Sequence, residues 1–290
     1  MQKQQWVFLN SEFVPADEAK ISIFDRGFLF ADAVYEVSTV LDGGLVDNQA
    51  HLARLQRSLD GLSIPLPISA EQIVQHQFEL IKRNELTEGI IYLQISRGPA
   101  PRDFNYPAEP APTIVMFSQE KNVCANPKAE TGLSVITIPD LRWKRRDLKT
   151  VGLLAQSMAK QAAFEQGVDD AWMVEEGFVT EGSSNNAFIV TADNEIITRQ
   201  LGNEILHGIT RKSVLALVEQ KNLTLIERAF TVEEAYRAQE AFITSASAFV
   251  MPVVEIDGKK IGQGAPGSIT KELRAAYQQF AEQSARASRR

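Results

Sequence analysis

The feature that most constrains this chain is the Asp42-Gly43-Gly44 turn, set between the β-patterned runs VYEVSTVL and LVD. Short Asp-Gly connections have a backbone twist that suits antiparallel strands, so the segment predicts a hairpin. Around it, short strand patterns alternate irregularly with amphipathic helices. WVFLN and FVPA read as a second hairpin, and ISIF, IIYLQISRG and TIVMFSQ as strands. NQAHLARLQRSLDGL and AEQIVQHQFELIKRN read as helices, the first ending at Gly61 as its cap. Further strands are expected in LSVITIPDL, DDAWMVEEGFVTEG, NAFIV, EIIT, LTLIERAF, EAFITSASA and MPVVEID. Helices are expected in TVGLLAQSMAKQAAFEQG, GITRKSVLALVEQKN and ITKELRAAYQQFAEQ. This mixed order predicts an α+β fold with mixed sheets and not a Rossmann fold. No G-x-G-x-x-G follows a strand.

With 290 residues, 44% hydrophobic and 23% charged, the chain suits a soluble protein of two domains. The polar, Pro127-containing stretch KNVCANPKAETG places a linker at 119–131. An N-terminal α/β domain is expected over 1–118 and a larger C-terminal domain over 132–290. The net charge of −7 disfavours nucleic acid, and no apolar run is long enough for a membrane span. A single cysteine rules out an internal disulfide framework, and the scattered His51, His76 and His207 suggest no metal site. The N-terminus lacks a secretory pattern, so a cytoplasmic location is expected.

Several residues are suited to chemistry. Lys149, in RRDLKTVGLLAQ, reads either as a surface lysine or as a partly desolvated amine whose charge Arg145 and Arg146 disfavour. In FVTEGSSNNAF, Glu181 is followed by glycine and small polar residues, which suits either a polar turn or a tight pocket. Gly208, Ile209 and Thr210 open a helix, whose first N–H groups favour an anion. TSASAF supplies further donors. On HLARLQRS, Arg54 is either a solvated helix charge or a phosphate ligand.

Taken in order, DRGFLFADAVYEV, HLARL, DLKTVGLLAQ, VTEGSSNNAF, ILHGITR and TSAS resemble the fold-type IV enzymes dependent on pyridoxal 5'-phosphate (PLP), most closely the D-amino acid transaminases. The resemblance implies a two-domain fold with a barrel-like larger domain, a PLP cofactor and a homodimer. It implies transfer of an amino group between a D-amino acid, such as D-alanine, and pyruvate or 2-oxoglutarate. Branched-chain or R-amine transamination, or an aminodeoxychorismate lyase reaction, are alternatives within the group. Lys149 matches the Schiff-base lysine, Glu181 the partner of the pyridine nitrogen, and Arg54 a phosphate ligand. Ile209, Thr210, Ser245 and Ala246 match further phosphate contacts. Leu206 matches the residue on the ring face, and Ser184 a hydroxyl near the coenzyme. Tyr35 and Arg102 match substrate-binding positions. One segment departs from the pattern: SRGPAPRDFNYP keeps Arg102 but has Phe104 where the transaminases carry a histidine. Phenylalanine cannot donate to a substrate carboxylate. Asp103 is expected to weaken Arg102, and Arg97 is a candidate replacement donor.

Overall fold

A computed structural model describes residues 4–289. They form two compact units, each considered separately. The first comprises the residues to Asn122, the short segment Leu148–Gly152, and the residues from Ala281 onward. The second comprises Val123–Asp147 and Leu153–Phe280. Leu148–Gly152, which chain order would place in the C-terminal half, thus groups with the N-terminal residues.

The first unit is built on six strands: β1 (Trp6–Leu9), β2 (Glu12–Pro15), β3 (Ala33–Leu41), β4 (Gly44–Leu45), β5 (Glu88–Ser96) and β6 (Thr113–Glu120). All pairings are antiparallel, in the order β2-β1-β6-β5-β3-β4. Both hairpins read from the sequence form, the second with Leu41 opposite Gly44. Short helix α1 (Arg26–Phe30) precedes β3, and α2 (Asn48–Leu62) and α3 (Ala70–Asn84) follow β4. Leu55 and Leu59 of α2, and Ile73 and Leu80 of α3, bury against Phe8, Val34, Ile91 and Leu93 of the sheet. The helical spacing of these residues provides the apolar face that the sheet requires.

Two expectations fail here. ISIF is not a strand: Ser22 Oγ accepts from Phe24 N at 3.1 Å in a turn, and Ile21, Ile23 and Phe24 are exposed. A strand needs a continuous ladder and a buried face. This exposed segment turns instead, with Asp25 N donating to Ser22 O at 3.0 Å. It meets a neighbour only at its end, where Phe24 O accepts from Ala100 N at 3.2 Å before Asp25 caps α1. Gly61 is not a helix cap either. It lies inside α2, which ends at Ser63 in a left-handed conformation. A Cβ at Gly61 would lie 2.6 Å from Leu148 Cδ2, so this glycine makes room for a neighbouring side chain.

In the second unit, α4 (Lys128–Thr131) leads into β7 (Leu133–Pro139), α5 (Leu154–Glu165), β8 (Asp170–Glu175), β9 (Phe178–Gly182), β10 (Asn186–Val190) and β11 (Ile196–Thr198). There follow α6 (Ile209–Gln220), β12 (Leu225–Glu227), α7 (Val232–Tyr236), β13 (Glu240–Ser245), β14 (Phe249–Ile256) and β15 (Lys259–Lys260). The sheet is mixed, in the order β12-β11-β10-β13-β14-β7-β8-β9 with β15 on β14, and curls as a half-barrel. Its α+β character and barrel-like curl agree with the sequence reading. Along β8, alternate side chains serve opposite faces. Trp172 joins Phe230, Ile243 and Met251, while Ala171 and Met173 pack with Ala159 and Ala163 of α5. Helix α8 (Ser268–Ser288) closes the chain. Among the described residues, no helix is long and apolar enough to cross a membrane.

In the first unit, the close approach of Gly44 to Ala285 gives a direct test. A Cβ at Gly44 would lie 2.1 Å from the Ala285 carbonyl oxygen. Gly44→Ala should therefore destabilise the protein by about 1–3 kcal/mol through overpacking against backbone. Urea unfolding measures this, and an unchanged midpoint would contradict the packing.

Candidate active site

In the first unit, Lys149 is fixed by its backbone. Its carbonyl accepts from Tyr35 N at 3.0 Å, its N–H donates to Ser58 Oγ at 3.2 Å, and Val151 N donates to Ala33 O at 3.1 Å. A short extended segment is thereby laid against the start of β3. The Lys149 ammonium nitrogen sits 4.1 Å from the centroid of the Tyr35 ring. A flat aromatic face is a support for a cationic or neutral amine that leaves its lone pair and protons free. The sequence argument that Arg145 and Arg146 act on this lysine needs correcting. Arg145 pairs with Asp147, and Arg146 with Glu175 at 2.7 Å and Asp140 at 3.5 Å. Neither arginine presents an uncompensated charge.

His51, Arg54 and Ser58 recur at helical spacing on one face of α2. Arg54 is buried and grips Glu36 of β3 with two bonds of 2.7 Å, from Nε to Oε1 and from Nη2 to Oε2. His51 Nδ1 also lies 2.7 Å from Glu36 Oε2. Burial opposes ionisation of Glu36, but Arg54 and His51 together hold its carboxyl at about 2. The sequence reading did not single out Glu36. Its signal was a carboxylate inside a strand facing a helix that carries His-x-x-Arg.

Arg102 is exposed, with its guanidinium 5.6 Å from the Phe30 ring and 5.8 Å from the Phe104 ring. Asp103, expected to weaken it, is engaged elsewhere. The Asp103 carboxylate accepts from Asn105 N at 3.0 Å, and its carbonyl accepts from Arg26 at 2.6 Å. Arg97 is not a replacement donor. It is buried, holds Asp32 through Nε and Nη2, and donates to the carbonyls of Leu62 and Ser63. Its guanidinium is consumed by the fold.

In the second unit, Glu181 of β9 is buried and meets three donors. Arg142 donates to Oε1, Asn186 Nδ2 to Oε2 at 2.8 Å, and Leu206 N to both oxygens at 3.1 and 3.2 Å. Burial pushes the Glu181 carboxyl up, with Arg142 and Leu206 N–H acting against it and nearby Asp140 adding to it. Asn186 also donates to Leu206 O at 3.0 Å, and its Oδ1 fills the space a Cβ at Gly208 would need. This one asparagine ties the carboxylate to the turn that starts α6. In the sequence it was only part of a small polar run. Arg142 meets Glu181 from 39 positions away, beyond the reach of any local signal.

Helix α6 begins at Gly208 without a side-chain cap, leaving Ile209 and Thr210 to present the first N–H groups. Asn186 is also paired in register with Thr244 of β13, the residue before Ser245 and Ala246. Thr244 Oγ1 is buried with no hydrogen-bond partner. A buried hydroxyl without a partner beside an uncapped helix start suits a ligand with acceptor oxygens. Ser184 is exposed at the tip of a turn whose flanks, Ser183 and Asn185, both donate to Asp170.

Comparison with known proteins shows that residues 33–256 match the family model for amino-transferase class IV. A D-alanine aminotransferase of Bacillus licheniformis is 39% identical over 94% of this chain and 95% of its own length. One from Staphylococcus haemolyticus is 35% identical over 95% of this chain and 98% of its own. Among solved structures, the branched-chain amino acid aminotransferase of Escherichia coli superimposes with a TM-score of 0.89 at 23% identity, covering 96% and 95% of the two chains. The T.th. branched-chain amino acid aminotransferase with pyridoxamine 5'-phosphate has a TM-score of 0.87 at 25% identity, covering 97% and 96%.

The Glu36 cluster predicts an acid-sensitive stability. The folded carboxyl, at about 2, lies below its ordinary value of 4.5, so its contribution is complete above 4.5 and is lost as pH falls through about 2. The size is about 3 kcal/mol. Urea midpoints measured from pH 5.5 to 2.5 should fall more steeply for the parent protein than for Glu36→Gln. Parallel curves would contradict the pairing.

Proposed function

We propose that this chain, which belongs to the amino-transferase class IV family, moves the amino group of a D-amino acid such as D-alanine to 2-oxoglutarate or pyruvate. The enzyme depends on PLP. The observation that carries the substrate reading is 39% identity to a D-alanine aminotransferase over nearly the whole length. A second reading, branched-chain amino acids, draws on the T.th. structure, which superimposes at 25% identity.

The residues present fit the cofactor. We assign Lys149 as the amine that holds it covalently and Glu181 as the carboxylate that holds a proton on the ring nitrogen. Leu206 is assigned to the ring face and Ser184 to a hydroxyl near the coenzyme. Arg54, the Ile209 and Thr210 N–H groups, and the Ser245–Ala246 segment are assigned to the phosphate. Three features support this: a buried carboxylate with a donor set around it, an uncapped helix start, and the unpartnered Thr244 hydroxyl. When bound, PLP supplies an aldehyde for attachment and a ring that accepts electron density from the substrate Cα. Once displaced by substrate, the Lys149 amine takes the Cα proton and returns it after the charge has moved. The Tyr35 ring supports that amine and lines the substrate side. Arg102, free of an acidic partner among the described residues, attracts the substrate carboxylate.

The assembly we propose is a homodimer, whose second copy would cover the exposed apolar side chains of Phe28 and Phe104 in the first unit and of Leu154 and Met158 on α5. A cytoplasmic location belongs to the same proposal, supported by a lone cysteine that forms no disulfide.

Paired assays with D-alanine, L-alanine, L-valine and L-leucine against 2-oxoglutarate test the reading. D-alanine should turn over fastest, and Lys149→Ala should lose about 10²–10⁴-fold in rate. Faster turnover of L-leucine or L-valine would replace the D-amino acid reading with the branched-chain one. Unchanged activity in Lys149→Ala would remove the lysine from its role.

A further inference from the structure

Behind Glu181 lies a second buried carboxylate that the transamination chemistry does not use directly. Asp140 follows β7, and its N–H is fixed to Val174 O of β8 at 2.9 Å. Its side chain is fully removed from solvent. Asp140 receives Arg142 twice, from Nε at 3.0 Å and from Nη2 at 2.7 Å, and the Thr180 hydroxyl at 2.6 Å. The remaining arm of Arg142 donates to Glu181. Arg142 therefore spans two carboxylates within one unit.

The charge count explains why two are needed. An arginine paired with Glu181 alone would satisfy that carboxylate and weaken its demand for another cation. With Asp140 bound to the same guanidinium, the charge of Arg142 is divided between two carboxylates. Arg146 stands farther from Asp140, at 3.5 Å, than from Glu175, at 2.7 Å, and makes no bond to Glu181. Glu181 itself takes a single arm of Arg142, together with Asn186 and a Leu206 N–H shared between its two oxygens.

We propose that Asp140, by taking two of the bonds of Arg142, is a positioning residue that leaves the Glu181 carboxylate only partly matched by that cation and so ready to hold the proton of the coenzyme ring nitrogen. This rests on the assignment of Glu181 to that nitrogen. Asp140 touches neither coenzyme nor substrate in this scheme; it sets the strength of the group that does. Its nearness also makes the Glu181 carboxyl more basic, which strengthens its hold on a ring N–H.

The test is a double-mutant cycle of Asp140→Asn and Glu181→Gln on the full chain, read by PLP affinity in equilibrium dialysis and by the visible absorption of the bound coenzyme. Asp140→Asn preserves shape and removes one charge. It should weaken PLP binding by about tenfold and shift the absorption band when Glu181 is present, and change affinity by less than about twofold in the Glu181→Gln background. Equal losses in both backgrounds would show a merely structural role and overturn the proposal. If Glu181→Gln by itself leaves affinity and spectrum unchanged, the assignment of Glu181 fails instead. Should Asp140→Asn not fold, Arg142→Met completes the same cycle. It leaves two buried carboxylates facing each other, one of which must take a proton, so the same background-dependent loss is expected and a background-independent loss overturns the proposal.

Discussion

A carboxylate withdrawn from water has to be met by cations or N–H donors, and this constraint organises both units around a buried glutamate. In the first unit, Glu36 is saturated by a two-bond arginine and a histidine, and its carboxyl is driven down to about 2. In the second, Glu181 shares its arginine with Asp140, and its carboxyl is driven up. Burial opposes ionisation of both, and the difference lies in the bonds set against it. Glu36 takes two bonds from an arginine and one contact from a histidine, whereas Glu181 takes one arm of an arginine that binds Asp140 through two others.

The Glu36 cluster matters because of what it holds. Glu36 follows Tyr35 on β3, and Arg54 lies one turn before Ser58 on α2. The Glu36–Arg54 pair therefore joins the strand whose Tyr35 N–H donates to Lys149 O to the helix whose Ser58 Oγ accepts from Lys149 N–H. The lysine main chain is gripped from both sides, and only its side chain remains to lie over the Tyr35 ring. Such a fixed backbone, with the amine carried on a long side chain, supports the role proposed for Lys149. The Arg54 grip on Glu36 also gives its guanidinium a set orientation, which is what a planar fork needs in order to meet phosphate oxygens.

The family match and the D-alanine aminotransferase relatives agree with the ordered motifs seen in the sequence, and the departure at Phe104 now has surroundings. Arg102 lies near the Phe30 and Phe104 rings, and the Asp103 carboxylate accepts from Asn105 N. Arg97, a chemically equal candidate by sequence, is locked to Asp32 and two carbonyls.

Local order was legible in the residues themselves. The Asp42-Gly43 hairpin, the leucine spacing of α2 and the pattern of α3 follow from contacts two to four positions apart, which the chain carries wherever it folds, while the motif series through Lys149, Glu181 and Gly208–Thr210 was legible by its resemblance to a known family. The tertiary structure alone decided who partners whom. Arg142 meets Glu181 across 39 positions and Lys149 meets Ser58 across 91, and no local pattern encodes such distances. ISIF has strand composition but turns at Ser22 with its apolar side chains exposed, and Gly61 resembles a cap but serves Leu148. The role of a charged or flexible residue is set by the group that long-range packing brings against it, and that group is chosen by the fold as a whole.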